Sequence, residues 1–165
     1  MHNRINKYWR KPERLCDIRR FFLACEFKPH SKLWSVLDPV AYDVKPAFTH
    51  GKLGCLGYDP ATYSILSVDE SDEPLVGYLM TISNPDGILL LDKIKGFNGK
   101  GSYNTHVRTL AHVFTAPSKV ITAWCYTLAP QVLATFTQVE WIEWGLWEED
   151  EKQLELLDKI TKPDN

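Results

Sequence analysis

The chain has 165 residues, 44% of them hydrophobic, with a formal net charge of −2 and an isoelectric point near 6.2. That is enough apolar material for one packed core without metals or disulfides, and the missing positive field argues against nucleic acid as the main partner. No segment reaches the roughly 18 to 20 apolar residues of a membrane span, and the opening MHNRINKYWRKPERLCDIRR has no apolar run of signal-peptide length, so a cytoplasmic protein without membrane contacts is expected.

Cys16, Cys25, Cys55 and Cys125 are widely spaced and form no CxxC pair, as expected of reduced, mostly buried thiols. Basic residues Arg4, Lys7, Arg10, Lys11, Arg14, Arg19 and Arg20 crowd the start, and acidic residues Glu140, Glu143, Glu148, Glu149, Asp150 and Glu151 crowd the end. Two readings stand, in which the ends pack on each other or remain solvated surfaces.

Asp17 to Phe27 runs from polar to the apolar Phe21, Phe22, Leu23, Ala24 and Cys25, the pattern of a buried strand. Lys28-Pro29-His30-Ser31 reads as a turn, and Leu33, Trp34 and Leu37 give a short amphipathic helix from Ser31, its N-cap, toward Pro39. Phe48 to Leu56 reads as a strand running into an irregular Gly57-Tyr58-Asp59-Pro60-Ala61 loop. Ser64 to Val68 and Leu75 to Ile82 are two further strands around an acidic turn. Asn84-Pro85-Asp86-Gly87 opens a helix that closes near Gly96.

Val107 to Phe114 and Val120 to Thr127 form a hairpin around Pro117. Beyond Pro130 the chain becomes rich in Trp and acid, and Leu154, Leu157 and Ile160 share one face of a C-terminal helix. The expected organisation is a basic arm over 1–16, a folded domain over 17–130, and a helical extension over 131–165 packed on that domain.

These pieces resemble the γ-glutamylcyclotransferase-like (AIG2-like) family over about Phe22 to Leu128. The similarity lies in Lys28-Pro29 after the first strand, the Gly57-Tyr58-Asp59-Pro60-Ala61 loop, Val76-Gly77-Tyr78-Leu79, Leu91-Asp92 with Gly96, Tyr103, and Ala123-Trp124-Cys125-Tyr126. The resemblance implies an α+β fold, a small mixed β-barrel flanked by helices, here with the added C-terminal helix. Five to seven strands are expected, with Lys95 at a helix end near the barrel mouth.

The family converts a γ-glutamyl amine into 5-oxoproline and a free amine, without a cofactor. A pocket carboxylate takes the proton from the attacking α-amine and returns one to the leaving amine, and backbone N–H groups of a Tyr-Gly-Ser/Thr-Leu loop hold the substrate. Both elements differ here. The catalytic Glu position is Lys95, and the loop position reads Ala24-Cys25-Glu26-Phe27. A charged lysine has no lone pair to accept a proton, and Cys25 in place of the loop glycine removes backbone freedom.

The resemblance therefore implies a pocket lined by Ala24, Cys25, Glu26, Phe27, Tyr58, Pro60, Lys95 and Tyr103. Two functions are open: a pseudoenzyme that binds a ligand or partner, or an active γ-glutamyl enzyme with rearranged acid-base groups, Glu26 replacing the missing Glu. Lys95 would suit an anionic small molecule, unless it pairs with Asp92 one helical turn earlier. His106, His112 and Cys125 form a weak metal constellation without a fourth ligand at a diagnostic spacing, and no metal is assigned. Cys25 near His30 could be a nucleophile or a packed small hydrophobe. Trp141, Trp144 and Trp147 are expected to form a surface for a protein partner or for self-association with a second copy of the chain, a lid over the pocket, or core.

Overall fold

The computed structural model describes residues 18–24, 34–56, 63–70, 72–116, 118–136, 139–142 and 158. Strand β1 (Arg20–Ala24) is buried on both faces, as its unbroken apolar run requires. Phe22 and Ala24 face an inner core, while Phe21 and Leu23 face a second layer that contains the helices. The same alternation runs along β4 (Pro74–Ile82), with Leu75 and Leu79 inside and Tyr78, Met80 and Ile82 outside.

Between them in sequence lie a single helical turn, α1 (Trp34–Leu37), the long strand β2 (Ala41–Leu56), and β3 (Tyr63–Val68). After β4 come α2 (Pro85–Lys95), the hairpin strands β5 (His106–Ala116) and β6 (Lys119–Leu128), the short α3 (Pro130–Leu133), and β7 (Val139–Ile142).

Five strands close into a mixed barrel. β4 pairs antiparallel with β1 and β2, β5 with β2 and β6, and the ring closes where β6 meets β1 in parallel at Phe21 and Trp124. The C-terminal half of β2 also holds β3 and β7, both antiparallel. Phe22, Leu53, Leu75, Leu79, Val113 and Cys125 fill the barrel. Ile88 and Leu91 of α2 pack with Leu37 on its outer wall.

Helix α2 is bounded as its sequence dictates. Asn84 caps it by accepting from the Asp86 N–H at 2.9 Å, and Pro85 occupies the first turn. Gly96 ends it in the left-handed region, φ 69°, where a side chain would be strained.

Two features depart from the sequence reading. β2 begins at Ala41 and not at Phe48, because Asp43, with φ 54°, takes up a register shift between Tyr42 and Lys45 and lets a segment containing Asp and Pro join the sheet. β7 is a strand where none was assigned. The C-terminal helix proper lies outside the described residues apart from Asp158, which is helical. The basic arm also lies outside them. No helix among the described residues is long and apolar enough to cross a membrane.

Candidate functional site

One end of the barrel gathers the residues of interest. The parallel register of Phe21 with Trp124 brings Ala24, three residues on, level with Thr127, which is itself opposite Val107 and beside Ile65. His106 lies one residue beyond Val107 on this rim. The helix α2 reaches the same place, because the carbonyl of its last residue, Lys95, is 2.9 Å from His106 Nδ1. The other ring nitrogen, Nε2, is 2.9 Å from Ser64 Oγ on β3.

These two contacts fix the tautomer. A carbonyl only accepts, so Nδ1 carries the proton and donates to Lys95, while Nε2 accepts from the Ser64 hydroxyl. Burial first, and the nearby Lys95 ammonium second, lower the His106 pKa from 6.5 to about 4. The ring is neutral at pH 7, and Lys95 contributes to keeping it so.

One turn before Lys95, Asp92 is a buried carboxylate with its partners in place. Arg108 Nε donates to Oδ1 at 2.8 Å, and Arg108 Nη2 and the Tyr126 hydroxyl complete the cluster. Phe97 covers the guanidinium, its ring centre 5.1 Å from Arg108 Cζ. The hydrogen bond to Asp92 raises the Arg108 pKa, and burial followed by the bond to Asp92 raises that of the Tyr126 phenol. Asp92 thus anchors α2 to β5 and β6.

Of the other residues singled out in the sequence, Ala24 is buried at the rim, whereas Tyr103 is 74% exposed on the loop after α2. Cys25, Glu26, Phe27, Tyr58 and Pro60 lie outside the described residues, as do His30, Trp144 and Trp147, and for Trp141 only the β7 backbone is described. His112 pairs with Asp69 at 3.1 Å, away from the environment of His106. Cys125 is packed inside the barrel, where burial pushes its thiol up to about 12. Among the described residues no group of three His, Cys, Asp or Glu could hold a metal. Sequence reasoning missed Ser64, Arg108 and Tyr126. The first carries no motif, and the other two are joined to Asp92 only by tertiary pairing.

No protein-family profile matches the chain, and no curated protein sequence matches it. Solved structures do. An AIG2-like protein of Mus musculus superimposes with TM-score 0.51 at 14% identity, covering 70% of this chain and 82% of that one. An Arabidopsis thaliana protein solved in solution gives 0.53 at 18% identity, covering 92% and 79%. YkqA of Bacillus subtilis gives 0.50 at 17% identity over 67% of this chain, which spans only 36% of its length. With the closed mixed barrel and its flanking helices, these likenesses show that the chain has the γ-glutamylcyclotransferase-like (AIG2-like) fold.

Proposed function

We propose that the chain uses this barrel to bind a small anionic metabolite, through a carboxylate or phosphate group, at the rim beside Lys95, and that it does not run the cyclotransferase reaction. The observation that carries this reading is the end of α2. Its last residue is Lys95, in the position where the resemblance expects a catalytic Glu, and Asp92, the one buried carboxylate among the described residues, is held by Arg108 and Tyr126. A carboxylate committed to an arginine and a phenol is a poor proton shuttle. An ammonium at the rim favours negative charge.

The test is 5-oxoproline release from γ-glutamyl amines, together with calorimetric titration of glutamate and inorganic phosphate. The wild type should release 5-oxoproline at background and bind an anion, and Lys95→Glu should abolish that binding. General acid-base catalysis supplies about 10²- to 10⁴-fold. Release well above background by the wild type would therefore replace this reading with that of an active γ-glutamyl enzyme using other acid-base groups, with Glu26 the first to examine.

A further inference from the structure

Ser64 and His106 form a pair that the anion-binding reading does not use. The hydroxyl of Ser64 donates to Nε2 of a neutral imidazole, and the opposite nitrogen is locked by the Lys95 carbonyl, with both contacts at 2.9 Å. This is the arrangement by which a weak oxygen nucleophile is activated, with a hydroxyl in reach of a base and the base oriented by a third group. We propose that Ser64 is a nucleophile for acyl transfer, with His106 as its general base and the Lys95 main-chain carbonyl as the positioning group.

Attack by Ser64 Oγ on the carbonyl carbon of an ester forms an O–C bond as the hydroxyl proton passes to His106 Nε2. The ester C–O bond breaks, and that proton leaves with the alcohol. Water then attacks the acyl-serine through the same base, releasing the acid and restoring Ser64. Ser64 is 5% exposed, so the acyl groups it accepts are small. A carbonyl carries no formal charge and stabilises an imidazolium less than a carboxylate does, while burial and Lys95 make the ring a weak base. Both favour slow, stoichiometric acylation over rapid turnover.

The experiment is reaction of the full chain with a small alkyl fluorophosphonate, in which the Ser64 O–P bond forms, the P–F bond breaks and fluoride leaves, followed by peptide mass mapping. The expected result is one adduct on Ser64, absent from Ser64→Ala and formed about a hundredfold more slowly by a His106→Gln variant whose circular dichroism and Tm show it folded. No adduct on the wild type, an adduct on another residue, or undiminished labelling of folded His106→Gln would overturn the proposal. If both variants unfold, the wild-type map decides alone. The proposal goes beyond the anion-binding reading and does not depend on it: 5-oxoproline release would defeat that reading and leave the labelling result untouched.

Discussion

Asp92 of α2 and Arg108 of β5 are joined by two parallel hydrogen bonds, one of them Nε to Oδ1 at 2.8 Å, and this pair fastens the helix that carries Lys95 to the barrel wall. Bidentate geometry makes it stronger than a point-charge contact. Removing one partner leaves the other charge buried.

Arg108→Leu should therefore destabilise the fold by about 3 kcal/mol or more, since breaking a buried pair costs roughly 3 to 5 kcal/mol. The double variant Asp92→Leu/Arg108→Leu should recover part of that loss, because no unpaired charge remains. Tyr126→Phe removes a hydrogen bond to a charged group and should cost about 1.5 to 3 kcal/mol. Urea unfolding of all three variants checks the order, and an Arg108→Leu variant that costs less than the double would show that the pair does not anchor the helix.

His106 predicts an acid-sensitive contribution to stability. Its pKa falls from 6.5 to about 4 on folding, first through burial and then through Lys95. A base depressed in this way contributes fully above 6.5, and the contribution is lost as pH falls from 6.5 toward 4, with a limiting slope of about 1.4 kcal/mol per pH unit. The difference in unfolding free energy between wild type and His106→Gln should be flat above pH 7 and shrink across that window. Lys95→Met should raise the His106 pKa, read by NMR titration of the ring protons. An unchanged ring pKa in that variant would show that Lys95 does not act on it.

Gly77 predicts a steric outcome. A Cβ there would lie 2.3 Å from the Leu23 carbonyl oxygen and 2.8 Å from the Phe22 ring, so the wall between β1 and β4 admits no side chain at this point. Gly77→Ala must push the strands apart at their pairing with Ala24, beside the rim. Overpacking of this kind costs typically about 1 to 3 kcal/mol, and because the obstacle is backbone the loss should reach the upper end. A thermal shift of less than one degree would refute the close approach.

Much of this fold was legible in the sequence because its signals are local. The apolar run of β1, the Asn84-Pro85 start and Gly96 stop of α2, and the hairpin around Pro117 each announce themselves within a few residues. The start of β2 was not legible, because the strand shifts register against β4 between Tyr42 and Lys45, where Asp43 takes a positive φ, and no local pattern signals such a shift. Nor was the pairing of Ser64 with His106, which are 42 residues apart, or that of Asp92 with Arg108. Such side chains meet only once the barrel closes. Lys95 was singled out by its place in a recognised pattern, and its effect on His106 emerged from the geometry.

The segment containing Trp141 gives the last prediction. Val139 to Ile142 pair antiparallel with Leu53 to Leu56, and Val139 closes over Gly54, where an added Cβ would lie 2.8 Å from Val139 Cγ1 and 2.6 Å from Leu66 Cδ1. A chain ending at residue 138 loses this strand and leaves the C-terminal half of β2 with an unpaired edge, a ready site for aggregation. The expected outcome is a lower Tm and concentration-dependent association, measured by calorimetry and light scattering, which would make the strand part of the sheet's structure. The competing outcome is a truncated chain that keeps the wild-type Tm, stays monomeric and loses a protein retained by the full chain. That result would assign Trp141, Trp144 and Trp147 to a partner surface, because tryptophans followed in sequence by a cluster of acids suit an interface core with a charged rim. The backbone pairing with β2 favours the first outcome, since those hydrogen bonds are made within the chain and need no partner to form.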